Sequence, residues 1–228
     1  GEVFLAQHEL LKRPCALKLI RPESGSNPLA LARFEREVQA AASLNHPNTI
    51  DIYDYGHAED GTFYYVMELL RGLSLGELVE THGALPPGRV IYLLRQVCAG
   101  LAQAHALGLV HRDLKPGNVF VAEVGGECDV AKVLDFGLVK VTNDPEAPQL
   151  TAEKTISGTP MFMAPEQATG SRDLGPSADI YALGAIAYFA LTARPPFTGD
   201  SALEVMIAQA RDPVTPPSQH RPGVPKDL

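Results

Sequence analysis

Residues 111–118 (HRDLKPGN) gather an acid, two basic side chains and an amide into one short stretch. Held as a loop between two buried anchors, such side chains can be aimed precisely. Pro116 and Gly117 stiffen and bend the stretch, and Asp113 and Asn118 stand a turn apart, so both can point into one site. The flanking segments read as anchors. Residues 107–110 (LGLV) look like the end of a helix running into a short strand, and residues 119–122 (VFVA) form a short apolar strand.

Other elements must position this loop. In residues 15–20 (CALKLI), Ala16, Lys18 and Ile20 share one face by a period of two. A lysine there is costly unless its charge is paired or its tip snorkels past the strand edge. Residues 29–44 predict a helix with a stripe at Phe34, Val38, Ala41 and Leu44. Glu37 lies within that stripe, so pairing it with Lys18 answers both charges; the alternative is that Glu37 swings to solvent. His46, in the segment that stops this helix, reads as a turn or capping residue. Strands are expected over 50–55 and 62–67. A helix starts at Pro86-Pro87, with a stripe at Val90, Leu94, Val97 and Leu101, and ends at Gly108. An apolar strand over 131–134 runs into Asp135-Phe136-Gly137, 17 residues past Asn118. A last helix is expected over 201–211, followed by a proline-rich loop to residue 228.

The whole chain narrows the function classes. Its 228 residues, 45% of them hydrophobic, are enough for one large domain or two small ones packed together. A net charge of −8 and a pI near 5.3 argue against nucleic-acid or membrane-surface partners. Three scattered cysteines fit free thiols in a reducing compartment. The uncharged run 180–193 has 14 residues, short of the ~20 that span a bilayer, and reads as a buried core helix.

Taken in order, Lys18, Glu37, HRDLKPGN, DFG and residues 164–166 (APE) resemble the eukaryotic-type Ser/Thr protein kinase domain. The wording of LKPGN, SGTPMFMAPEQA and DIYALGAIAYFAL is most similar to the bacterial branch. The resemblance covers nearly the whole chain and implies an α+β, bilobal fold: a small β-rich N-lobe over 1–67, built of five strands and a helix, a hinge over 68–71, and a larger, mainly helical C-lobe over 72–228. It also implies that the start of the glycine-rich loop and the final helices of the domain are missing.

The implied activity is transfer of the γ-phosphoryl of ATP to Ser or Thr hydroxyls of protein substrates, with ATP and Mg²⁺ as cofactors. Asp113 would take the hydroxyl proton, Lys115 would offset charge on the γ-phosphoryl, and Lys18, fixed by Glu37, would hold the α- and β-phosphates. Asn118 and Asp135 would bind the metal. Gly1 and Val3 belong to the phosphate-covering loop. Val3 and Ala16 would roof the adenine and Phe120 would floor it, with Met67 as gatekeeper and Glu68 and Leu70 offering backbone bonds. Glu77 would reach the ribose, or simply place a charge at its helix N-terminus.

By the same resemblance, Thr159 and Glu166 belong to the peptide platform, and Thr155 or Thr151 is the activating phosphosite that Arg112 would receive. Asp179 would anchor the catalytic-loop backbone; a charge at a helix N-terminus explains its place but not why the next dozen residues are uncharged. Phe136, His111, Ile52 and Ala41 would stack into a column between the lobes, which makes His111 a packing residue rather than a base. Gly117 and Phe189 stand where basic-directed kinases carry acids, so no strong requirement for upstream arginine is expected.

Self-association for trans-autophosphorylation is implied, in the cytoplasm or on the cytoplasmic side of a membrane-anchored protein. Two other readings share the fold. A pseudokinase scaffold usually lacks the lysine or an aspartate, all present here. A kinase-like small-molecule phosphotransferase has no use for the GTP…APE platform.

Overall fold

Alternating strands at the start of the chain form one twisted sheet. In the computed structural model, which describes residues 2–20, 28–136, 160–169, 171, 174–226 and 228 (backbone only for 28–34), β1 (Glu2–Gln7) and β2 (Pro14–Ile20) make a hairpin. β3 (Ile52–His57) and β4 (Phe63–Glu68) make another, and the sheet order is β1-β2-β4-β3. Register puts Val3 opposite Lys18, Lys18 opposite Tyr65, and Ala16 opposite Met67. Directly opposed residues share a face, so Val3, Ala16, Lys18, Tyr65 and Met67 line one side. α1 (Pro28–Ala42) packs there through Val38, buried with Phe63 and Tyr65. Ala41 and Leu44 are buried as well; the side chain of Phe34 lies outside the described residues. This sheet has four strands among the described residues, one fewer than expected.

The chain then crosses into the larger, mainly helical part through Leu69 and Leu70. β5 (Arg71–Ser74) follows at once and pairs with β6 (Val119–Val124), which pairs with β7 (Glu127–Val133). β5 was not foreseen, and Arg71, expected in the hinge, is its first residue. α2 (Leu75–His82) and α3 (Pro87–Ala106) precede the 111–118 loop. On α3 the buried stripe runs Val90, Leu93, Val97, Leu101, with Leu94 only partly buried.

The short strand expected after α3 is absent. Gly108 takes a positive φ of 76°, and the Leu109 N–H returns to the Ala104 carbonyl at 2.9 Å. The segment therefore closes on the helix end and not on a sheet.

Beyond the loop lie α4 (Pro165–Ala168), α5 (Pro176–Thr192), α6 (Ala202–Arg211) and α7 (Pro217–His220). α5 contains most of the uncharged run and is buried on several sides, as Ala182, Ala185, Ile186 and Ala190 show. The expected C-terminal loop contains the short α7. Arg221 explains why that end is ordered: its Nη1 donates to Leu85 O at 2.6 Å and Leu191 O at 3.2 Å, and Val224 enters the core.

The two parts are joined by backbone. Thr49 bridges Val133 in parallel, Ile50 N–H donates to Val133 O at 3.0 Å, and Val133 N–H donates to Asn48 O at 2.9 Å. His46 serves the turn here, its Nδ1 accepting the Asn48 N–H at 3.1 Å. α3 touches the same segment, and a Cβ on Gly100 would lie 2.9 Å from Asn48 O.

Candidate active site

The 111–118 loop is held by its backbone before its side chains act. Asp179, 1% exposed near the start of α5, accepts the His111 N–H at 2.8 Å on Oδ2 and the Arg112 N–H at 2.9 Å on Oδ1. His105 Nε2 lies 2.7 Å from the same carboxylate. His111 is fully buried and packs against Phe136 with ring centroids 5.0 Å apart. Its Nδ1 accepts the Asp113 N–H at 3.3 Å, and its Nε2 faces Leu134 O at 2.8 Å. Together these require the Nε2–H tautomer, with both ring nitrogens committed to structure. Ile52 and Ala41 belong to the same apolar cluster as Phe136.

The loop's acid sits among its neighbours. Lys115 Nζ donates to Asp113 Oδ2 at 2.9 Å. Asn118 Nδ2 donates to Asp113 O at 2.8 Å, which leaves its amide oxygen as the acceptor end. The Asn118 backbone carbonyl accepts the Leu134 N–H at 2.9 Å. That bond ties the loop to the residue before Asp135.

Asp135 has a left-handed φ of 55° and both oxygens engaged. Oδ2 meets Lys18 Nζ at 2.6 Å and Oδ1 accepts from Tyr65 OH at 2.6 Å. Burial alone would push this carboxyl up. The Lys18 charge and hydrogen bond, with that of Tyr65, outweigh it and hold the carboxyl below the usual carboxylate range. Burial and the Asp135 charge push the Tyr65 phenol up, so it stays a donor.

Lys18 thus forms an ion pair with Asp135. Lys18 lies beside Tyr65 in the sheet, and Tyr65 also holds Asp135. Glu37 is half-buried on α1. Tyr65 was missed by sequence reasoning, its partner Asp135 lying 70 residues further along the chain.

The remaining expected residues divide by place. Val3, Ala16 and Met67 share the sheet face with Lys18, Val3 being 57% exposed. Phe120 lies on β6, opposite Lys132 and Ser74 in the other sheet. Glu68 ends β4, with Leu70 two residues on. The Glu77 carboxylate closes a capping box with Ser74, taking its N–H at 2.8 Å and its hydroxyl at 2.7 Å. Glu166 lies on α4 with Ser177 Oγ at 3.5 Å. Gly1, Thr151, Thr155 and Thr159 lie outside the described residues.

A second buried pair was missed. Lys132 Nζ meets Glu68 Oε1 at 2.6 Å with side chains 6% and 14% exposed. It also donates to Thr49 O at 3.2 Å, and Glu68 Oε1 takes the Asp51 N–H at 3.0 Å.

Chemically, Asn118 and Asp135 offer an amide and a carboxylate oxygen, tied through Leu134. That is a hard, two-ligand set of the kind Mg²⁺ uses when phosphates complete its shell. Lys18 and Lys115 flank it with positive charge, and Asp113 faces a cleft shared with Lys115, Phe162 and Met163.

Residues 1–224 match the model of the protein kinase domain. The chain is 40% identical over 223 residues to Serine/threonine-protein kinase pkn3 of Myxococcus xanthus, covering 97% of this chain and 41% of that protein. It is 37% identical over 231 residues to Serine/threonine-protein kinase PknB of Mycobacterium leprae, covering 100% and 36%. The chain therefore spans well under half the length of these relatives. The fold superimposes on the crystal structure of the Mycobacterium tuberculosis PknI kinase domain with a TM-score of 0.71 at 29% identity, covering 97% of this chain and 77% of that one. A four-stranded sheet with α1 above a helical part, joined at a site of this composition, is the bilobal α+β kinase fold, and the chain, whose relatives named above are bacterial Ser/Thr protein kinases, belongs to the protein kinase domain family.

Proposed function

We propose that the protein transfers the γ-phosphoryl of ATP to Ser or Thr hydroxyls of proteins, in an Mg²⁺-dependent reaction. One observation carries this reading: Lys18, Asp135, Asn118, Asp113 and Lys115 form one connected set, running from the small sheet to the catalytic loop. Asp113 accepts the hydroxyl proton as the hydroxyl oxygen bonds to the γ-phosphorus and ADP leaves. Lys115, already on the Asp113 carboxylate, offsets charge on the transferred group. Lys18 receives α- and β-phosphate oxygens in this reading, with Glu37 as its counter-charge. Mg²⁺, held by Asn118 and Asp135, would neutralise the triphosphate. Positioning and electrostatics supply most of such a rate.

Val3, Ala16, Met67, Glu68, Leu70 and Phe120 are our candidates for the adenine cleft. Gly1 joins them at the phosphates and Glu77 at the ribose, if that acid leaves its cap. Thr159 and Glu166 belong to the peptide platform, and Thr155 or Thr151 accepts an autophosphoryl group in trans that Arg112 reads. No helix among the described residues is long and apolar enough to cross a membrane. We place the reaction in the cytoplasm, where ATP is available.

The test is incubation with Mg²⁺ and ATP on a Ser/Thr peptide array, beside Asp113→Asn, with phosphosites mapped by mass spectrometry. Labelled Ser or Thr, absent in the variant, is expected. ATP binding without any transfer would favour a scaffold, and labelling of small molecules alone would favour a metabolite phosphotransferase.

A further inference from the structure

We infer that Gln167 is a positioning residue for phosphoryl transfer: its carboxamide straps the peptide platform to the loop that carries Asp113. The inference rests on the kinase reading above and deepens it.

Gln167 lies in α4, just after Phe162 and Met163. Its side chain makes two bonds of opposite sense. Oε1 accepts the Ala164 N–H at 3.1 Å, and Nε2 donates to Arg112 O at 2.7 Å, across 55 residues of chain. One partner needs an acceptor and the other a donor, so the amide has a single satisfactory orientation.

The carbonyl it grips belongs to the peptide unit whose nitrogen is that of Asp113. Arg112 holds a φ of 63°, a left-handed conformation that an ordinary residue keeps only when its surroundings over-determine it. Asp179 takes the N–H groups of His111 and Arg112 from the α5 side. His111 takes the Asp113 N–H. Gln167 takes the Arg112 carbonyl from the opposite, platform side.

The cleft between loop and platform has Asp113 and Lys115 on one wall and Phe162, Met163 and Gln167 on the other. The platform is itself fixed from below. Gln209 on α6 donates to Pro160 O at 2.7 Å, and Phe162 packs edge-on against Phe189 at 5.8 Å. Gln167 is thus a side-chain tie between the wall that presents a peptide hydroxyl and the wall that carries the acid. A misplacement of about 1 Å between reacting groups can cost roughly 10²-fold.

The experiment measures kcat and KM on the most strongly labelled array peptide for wild type, Gln167→Ala and Gln167→Glu. Glutamate keeps the acceptor for Ala164 N–H, and so the α4 cap, but turns an oxygen toward the Arg112 carbonyl. Expected is a fall in kcat of about tenfold or more in both variants, with KM for ATP within about twofold and the glutamate at least as impaired as the alanine. Unchanged kcat in both variants overturns the proposal. So does a rise in peptide KM alone, which would make Gln167 a docking residue. Full activity in Gln167→Glu with loss in Gln167→Ala would assign the effect to the cap and also overturn it. A wild type that labels no peptide removes the kinase reading, and this inference with it.

Discussion

Asp113 and Asp135 are both carboxylates beside a lysine, and their surroundings set them different tasks. Asp113 faces the cleft, with one lysine contact and its backbone pinned on several sides. Replacing it by asparagine keeps the shape and removes the carboxylate that we propose as proton acceptor. We expect turnover to fall by about 10²–10⁴, measured on the best array peptide, with ATP affinity little changed. Asp135 is held ionised by Lys18 and Tyr65. Its folded carboxyl is depressed, so it contributes stability above the unfolded value, about 3.9, and loses it as pH falls through the folded value. The stability difference between wild type and Asp135→Asn, followed by thermal unfolding from pH 7 to pH 3, should therefore move against the wild type at the acid end; a pH-independent difference would contradict this. The motif order made both aspartates legible in the sequence. Tyr65 was not legible, because a phenol's partner lies 70 residues away and no spacing announces it.

At the scale of elements, the buried Lys132–Glu68 pair joins the last strand before Asp135 to the end of β4. Lys132→Met leaves a nearly buried carboxylate with only the Asp51 N–H, and should cost about 3–5 kcal/mol, read by urea unfolding. Adding Glu68→Gln should recover part of that loss, a coupling that a double-mutant cycle measures directly. Gly100→Ala should cost about 1–3 kcal/mol, because the new methyl meets the Asn48 carbonyl, which is backbone and cannot swing aside. Helices with apolar stripes, such as α3 and α5, were readable from periodicity. Lys132 was passed over because a lysine in a strand ordinarily points to water, and only the tertiary position of Glu68 reverses that. The same limit hid β5, whose four residues carry no alternation and are made a strand by pairing with β6. The strand expected at 107–110 failed for the converse reason: the apolar pattern was there, but no neighbour was available to pair with it.

At the scale of the whole molecule, the ordering of motifs along 228 residues was enough to expect a bilobal α+β architecture, and the match over residues 1–224 agrees. The order of two lobes is a matter of sequence; the way they are fastened is not. The open space beside Gly117 and the packing of Phe189 onto Phe162 offer no acid to an upstream arginine, so the peptide array should show no dominant arginine at those positions. The fastening itself has a practical consequence. Residues 48–50 share two backbone hydrogen bonds with Val133, which make up the parallel bridge between Thr49 and Val133, and Asn48 adds a side-chain bond to Ala131 O at 2.9 Å. The small sheet thus borrows a rung from the hairpin of its neighbour, and a piece cut at residues 69–70 would carry away one half of that ladder. Melting should accordingly be a single calorimetric event, and the protein is a poor candidate for splitting into two complementary reporters.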